Sequence, residues 1–276
     1  MDRSFCLVGG DARQLTLAEL LARDGARVRT VFLSDRTADL TAVSSARHVL
    51  LPLPLEGGPG RLFAPLFPHP VPLSDILAAL RPCQTIFAGK VGAHIHAQAL
   101  KRGLTLHDYL LREELAVANA VPTAEGALAA AMEALPFTIH NSRVLVVGFG
   151  RVGQCTAQRF RALGADVSVS ARRPEQLALA DSLGCRPVPL PRLSGDFDLV
   201  VNTVPAVILT REVLERLGHP VLLELASAPG GFDRDAVSQL GLRLIPAPNL
   251  PGRVAPVTAA RAIQQTLYHM LEELDP

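Results

Sequence analysis

The stretch "VLVVGFGRVGQ", residues 144–154, decides how the rest of the chain is read. Four apolar residues, Val144 to Val147, run into Gly148, Gly150 and Gly153 at G-x-G-x-x-G spacing. Such a triplet alone is weak. Here it follows a strand pattern, opens a helix pattern and stands about 20 residues before the end of the next strand. In that setting Gly148 permits a tight turn, Gly150 lets the backbone approach a pyrophosphate, and Gly153 lets the helix pack on the sheet. The helix start, with Arg151 and Val152 in its first turn, offers unpaired N–H groups and a positive dipole end to phosphates. The bland alternative is a glycine-rich turn with no ligand.

The next strand, in "DVSVSARRPEQ" (166–176), ends at Ala171, Arg172 and Arg173. A site for NAD usually closes this strand with Asp or Glu, which bonds the ribose 2′-hydroxyl. A carboxylate there would repel a 2′-phosphate, whereas a guanidinium grips one through paired N–H bonds. The expected cofactor is therefore NADP. The competing view is that both arginines are solvated loop charges.

Further out, the pattern repeats. "SFCLVG" (4–9) is an apolar run ending at Gly9-Gly10, "ARQLTLAELLARD" (12–24) has helical leucine spacing, and "RVRTVFL" (27–33) alternates as a strand. "PLSDILAAL" (72–80) reads as a helix with a capping signal at Ser74. Segments 84–89 and 104–110 read as strands around a helix at 93–102. "DLVVNTVP" (198–205), "PVLLELAS" (220–227) and "RLIPAP" (243–248) are strands of the second half. Residues 111–135 are helix-forming, with Pro122 expected to split them into two helices. The expected fold is α/β: two doubly wound Rossmann-like domains joined by long helices. The expected division is 1–120 for an N-terminal substrate domain, 121–254 for an NADP domain with linking helix 121–136, and 255–276 for a terminal helix returning to the N-terminal domain.

The 276 residues accommodate two such domains. A net charge of +1 argues against nucleic acid or an anionic membrane as partner. Cys6, Cys83, Cys155 and Cys185 share no metal-ligand spacing, so no metal is expected and they read as reduced thiols of a cytosolic protein. The start "MDRSFCLVGG" does not read as a signal peptide. No apolar run approaches ~20 residues uninterrupted by charge, Gly or Pro, so no membrane span is expected.

Ligands of open α/β sheets bind at the carboxyl ends of strands. Three loops of the second half lie there: Asn202, Thr203, Val204 and Pro205; Ala226 and Ser227; and the Pro/Gly loop 249–260 with Thr258. Asn202 and Thr203 are expected to line the cofactor cleft near ribose or nicotinamide. Thr258 either faces the nicotinamide or caps the last helix. In the first half, "GGDARQ" (9–14) has too few glycines for a second dinucleotide site. Asp11 is placed to cap a helix, and that helix start with Arg13 and Gln14 suits a carboxylate substrate. Glu125 sits in an apolar stretch, where a carboxyl with a raised pKa would serve as proton acceptor; capping a helix entry is its plainer role. His94, His96 and His107 are further titratable candidates, although His94 and His96, two apart on a helix, point away from each other.

These pieces together resemble the A subunits of bacterial dipicolinate synthases. The resemblance rests on "GGDARQ", residues 121–153, "VNTVPAVIL" (201–209), "LASAPGG" (225–231) and "LPGRVAPVTAA" (250–260), in that order. It runs nearly end to end. Residues 35–72 match less closely, and Lys90 departs from the family pattern. The resemblance implies NADP-dependent oxidation of a dihydrodipicolinate, or of its hydrated precursor, to dipicolinate during sporulation, in the cytoplasm of the mother cell. It implies one partner, a flavoprotein-like B subunit; a homo-oligomer is expected besides. The substrate is then a small ring with two carboxylates, for which Arg13 and Lys90 are the candidate holders, with Glu125 the candidate base. Two readings compete: another NADP-dependent two-domain dehydrogenase for a hydroxy or amino acid, and an NADP-binding regulatory subunit without turnover of its own.

Overall fold

The structure is a computed structural model and describes residues 4–34 and 38–274. Its chain divides into two compact units, Met1–Ala118 with Ala255–Pro276, and Asn119–Val254.

In the first unit, five strands pair in parallel: β1 (Ser4–Val8), β2 (Arg27–Val31), β3 (His48–Leu50), β6 (Thr85–Ala88) and β7 (Leu106–Asp108). Their order is β2-β1-β3-β6-β7. A small antiparallel hairpin, β4 (Glu56–Gly58) and β5 (Arg61–Leu62), stands apart, and its strands are not legible in local sequence. Strand alternation explains the two layers. Phe5 and Leu7 of β1 face α1 (Ala12–Arg23), while Cys6 and Val8 face α2 (Leu40–Ser45), α3 (Leu73–Ala79) and α4 (Ala93–Leu100). Counting parallel strands only, this is the 2-1-3-4-5 order of flavodoxin-like sheets, not a second copy of the dinucleotide-binding order. Ser74 lies inside α3 and is not its cap; Pro72 holds that position, without a side-chain bond.

The second unit carries β8 (Arg143–Val147), β9 (Asp166–Ala171), β10 (Arg186–Pro189), β11 (Leu199–Asn202), β12 (Val221–Glu224) and β13 (Leu244–Pro246). All are parallel, in the order β10-β9-β8-β11-β12-β13. This is the 3-2-1-4-5-6 arrangement of dinucleotide-binding folds. Val144 and Val146 pack with α5 (Glu113–Ala134) and α6 (Arg151–Ala162). Leu145 and Val147 pack with α8 (Arg211–Leu214) and α9 (Arg234–Gln239). Helix α7 (Pro174–Ser182) follows β9.

Residues 113–134 form one helix, not two, and Pro122 lies within it. An internal proline costs about 3 kcal/mol, through a missing N–H and a ring clash. Buried Ala120, Ala124, Ala127 and Ala131 hold the helix together against that cost, and Thr123 Oγ1 donates to the Asn119 carbonyl at 2.6 Å beside the break. By length and composition alone α5 is apolar enough to cross a bilayer, with a mean hydropathy of 1.3 over its best window. That alanine face is instead buried inside the protein.

The expected loop 249–260 is largely helical: α10 (Leu250–Val254) leads directly into α11 (Pro256–Leu274). Helix α11 lays Ala260, Ile263, Leu267 and Met270 against the α1 side of the first sheet. The last two residues, 275 and 276, fall outside the described ones.

Candidate functional site

At the carboxyl edge of the second sheet the three glycines do different work. Gly148 has φ +91°, and a Cβ there would come within 2.4 Å of Thr203 Oγ1. Gly153 is fixed by packing: its Cβ would lie 2.1 Å from the Gly148 carbonyl oxygen. Gly150 has ordinary backbone, φ −82°, and a Cβ there would meet nothing within 4 Å. Neither strain nor crowding within the protein asks for glycine at this position. Gly150 is also the N-cap of α6, and no side chain caps that helix. The Phe149 carbonyl is pinned by Gln154 Nε2 at 3.1 Å and Gln176 Nε2 at 3.2 Å. The result is a rigid turn and an uncapped helix start, which suit a pyrophosphate.

One strand over, β9 ends at buried Ala171. Arg172 is exposed and makes no ion pair with any described residue. Arg173, also exposed, lies 3.4 Å from Glu175 Oε1. No side chain caps α7 either. The two arginines therefore differ: Arg172 is uncommitted, and Arg173 already has a carboxylate beside it.

The loop after β11 corrects an expectation. Asn202 is fully buried and faces the protein. Its Nδ2 donates to Glu224 Oε1 at 2.6 Å and to the Val204 carbonyl at 2.9 Å, and its Oδ1 accepts from Val204 N at 3.1 Å. Asn202 is a structural tie with no donor to spare for a cofactor. Thr203 Oγ1 donates to the Val147 carbonyl at 2.9 Å, while Pro205 is exposed. After β12, the Ala226 N–H is taken by Glu224 Oε1 at 2.9 Å, and Ser227 is exposed.

Glu224 was not singled out from sequence. It is buried and also accepts from Gly231 N at 2.7 Å. Its signal was an acid inside the apolar run "PVLLELAS". Gly231 is glycine because a Cβ there would sit 2.3 Å from Asn202 Nδ2.

Glu125 is not in an apolar setting. It lies on the exposed side of α5, its side chain 59% exposed and 3.7 Å from Arg159 Nη2. The buried positions of 121–127 are Pro122, Ala124, Gly126 and Ala127. The apolar surroundings that recommended Glu125 as a base are therefore absent.

At the carboxyl edge of the first sheet, Asp11 caps α1 through Arg13 N at 3.0 Å. The same carboxylate takes Arg13 Nε at 3.0 Å and Nη2 at 2.7 Å. Arg13 Nη2 also reaches the Leu53 carbonyl at 2.5 Å. The start of α1 is thus already occupied by an anion, and Arg13 is largely buried. Only Arg13 Nη1 has no partner among the described residues. Gln14 is buried and donates to the Leu50 carbonyl at 3.0 Å, so it is structural. Arg13 nonetheless bridges from the end of β1 to the chain beyond β3, the point where this sheet reverses its order and where such folds take ligands.

Lys90, exposed after β6, has φ +58°. Asp108 holds that turn, accepting from Lys90 N at 3.1 Å, Val91 N at 2.7 Å and Leu110 N at 2.9 Å. A left-handed non-glycine residue so fixed is the kind of strain that clusters at functional sites. Tyr109, buried beside it, donates to the Leu51 carbonyl at 3.1 Å, and burial pushes its phenol well above the usual range. Of the histidines, His94 Nε2 lies 3.2 Å from Glu56 Oε2, and partial burial lowers the pKa of His107. Thr258 is exposed in the first turn of α11 and does not cap it.

Two family models match the chain. Residues 4–110 match the model for the N-terminal domain of the dipicolinate synthase A subunit, and residues 110–217 match the "D-isomer specific 2-hydroxyacid dehydrogenase, NAD binding domain". The dipicolinate synthase A subunit of Bacillus subtilis is 31% identical, over 98% of this chain and 96% of that protein. The crystal structure of the Bacillus subtilis protein superposes with a TM-score of 0.88, at 30% identity, over 100% of this chain and 97% of the other. Its counterpart from Bacillus halodurans gives 0.90 at 30% identity, over 98% of each chain. D-lactate dehydrogenase from Escherichia coli, at 14% identity and TM-score 0.68 over 99% of this chain and 96% of that one, shares the fold.

Proposed function

Because the chain belongs to the A-subunit family of dipicolinate synthases and carries a dehydrogenase-type domain for a nicotinamide cofactor, we propose that it oxidises a dihydrodipicolinate to dipicolinate with NADP as acceptor. Oxidation would remove a hydride and a proton from the substrate ring and leave it aromatic. The bound cofactor supplies the hydride acceptor; the protein has to hold and orient.

The observation that carries this reading is the end of β9. A small buried residue, Ala171, is followed by uncommitted Arg172, with no carboxylate at the ribose position. That environment favours a 2′-phosphate over a free hydroxyl. Gly150 supports it, being explained by close ligand approach and by nothing inside the fold. For the substrate, Arg13 offers Nη1 to one carboxylate while Asp11 and Leu53 keep the guanidinium still. Lys90 offers its ammonium to the other. Asp11 acts through Arg13, and Gln14 takes no part. The reaction is placed in the cytoplasm of a sporulating cell, where the chain forms a homo-oligomer and works with a flavoprotein-like B subunit.

The test mixes purified chain with enzymatically prepared dihydrodipicolinate and either NADP or NAD, and follows dipicolinate absorbance. Formation with NADP, at least tenfold faster than with NAD, supports the reading. Formation only once the B subunit is present favours shared catalysis. Cofactor binding without product under either condition favours a regulatory role.

A further inference from the structure

We propose that Glu224 is an electrostatic tuning residue that makes this protein bind the oxidised cofactor in preference to the reduced one. The inference rests on the nicotinamide-cofactor reading above.

Glu224 ends β12, directly opposite Asn202 at the end of β11. Every group bonded to its carboxyl is a donor: Asn202 Nδ2, Ala226 N and Gly231 N. Two of these N–H groups meet Oε1 and one meets Oε2, so they stand in for the water that burial removes from a carboxylate. Among the described residues no cation pairs with it. An unpaired buried charge is costly, and an amide or an apolar side chain would fill the space at lower cost. The charge is nevertheless held rigidly. Gly230 and Gly231 both crowd the cluster, with a Cβ at Gly230 falling 2.7 Å from Glu224 Oε2.

The position explains what such a charge would do. In a 3-2-1-4-5-6 sheet the ribose signal at the end of β9 assigns the adenosine half of the dinucleotide to β8–β10. The nicotinamide half falls to β11–β13. The oxidised nicotinamide ring is a cation and the reduced ring is neutral. A fixed anion at the carboxyl ends of β11 and β12 therefore favours the oxidised form and leaves the reduced form nearly untouched. A separation on the order of 10 Å at an effective dielectric of ~20 would correspond by Coulomb's law to roughly tenfold in relative affinity. The product form of the cofactor is then the weaker binder, which helps it leave.

The experiment measures the Kd of NADP⁺ and of NADPH by calorimetry and fluorescence, for the wild type, Glu224→Gln and Ser227→Lys. Ser227 is exposed on the same loop, so its substitution does not threaten the fold, and the added cation opposes Glu224. The ratio Kd(NADP⁺)/Kd(NADPH) cancels loop damage and phosphate contacts common to both forms. The expected result is a ratio about tenfold higher in Glu224→Gln and raised several-fold in Ser227→Lys. If both forms weaken by the same factor in the variants, Glu224 is only a structural tie and the inference is overturned. If Glu224→Gln yields no folded protein, an unchanged ratio in Ser227→Lys overturns it alone. Failure of the wild type to bind either form would instead remove the cofactor reading.

Discussion

Gly150 and Gly153 lie one turn apart on α6 and are glycine for opposite reasons. A Cβ at position 153 collides with the Gly148 carbonyl, whereas one at 150 meets open space. Gly153→Ala is therefore expected to lower stability by about 2 kcal/mol or more, in the manner of an overpacked core, as read by denaturant unfolding. Gly150→Val should leave the melting temperature within a few degrees and abolish cofactor binding in a fluorescence titration. The arginines separate in the same way. Arg172→Ala should weaken NADP at least tenfold with little change for NAD; Arg173→Ala should do less, because Glu175 already draws on that guanidinium. Equal losses of NADP and NAD would remove the 2′-phosphate role. Burial pushes the Cys6 thiol up to about 12. Its folded pKa exceeds the unfolded value near 9, so the stability it contributes is intact below about pH 9 and is lost as pH rises toward 12. Cys6→Ala should flatten the alkaline limb of a pH–stability profile. The strand–glycine–helix turn at Gly148–Gly153 and the strand after it were legible because each is a local pattern. Arg13, Gln14, Asn202 and Glu125 were not. Whether a polar side chain turns inward depends on partners far along the chain, such as the Leu53 carbonyl for Arg13 and Glu224 for Asn202.

At the scale of elements, most strands and helices followed from apolar periodicity, the short β3 and β10 did not, and two further exceptions have physical causes. Helix α5 runs through Pro122 because its alanine face is buried on both sides of the break. Tertiary packing outweighs a local preference there, and no short window could reveal it. The β4–β5 hairpin is held by pairing beyond its own sequence, as in Leu62 N to the Val71 carbonyl at 2.9 Å. The turn joining β6 to α4 depends on Asp108, which gathers three backbone N–H groups from both sides of β7. Asp108→Ala should cost several kcal/mol, on the order of 4, since each of the three hydrogen bonds to this charged acceptor is worth about 1.5–3 kcal/mol and partial exposure keeps them at the low end. It should also raise the substrate KM by releasing Lys90 from its left-handed conformation. Lys90→Gly, which keeps the turn and loses only the ammonium, should raise KM without the stability loss. A KM unchanged in both would show that the turn is structural.

For the whole molecule, the order of each sheet was beyond reach of the periodicity, which finds strands but does not rank them. The two halves look alike as strand–glycine–helix starts, yet one sheet reverses between β1 and β3 and the other between β8 and β11. The return of α11 to the first unit is also non-local, yet it was expected from the sequence and is what the structure has. Leu267 is fully buried there, and Leu267→Ala should cost about 2–5 kcal/mol. Hydrogen exchange should show the loss in α1 while the Gly148–Gly153 turn keeps its protection. The same arrangement bears on how the protein is made. As the chain leaves the ribosome, residues 119–254 emerge as one uninterrupted block and have every strand of their sheet. The segment translated first must wait for residues 255–274 before the apolar side of α1 is covered. The half made earliest therefore completes its core only after the other half has all of its own residues.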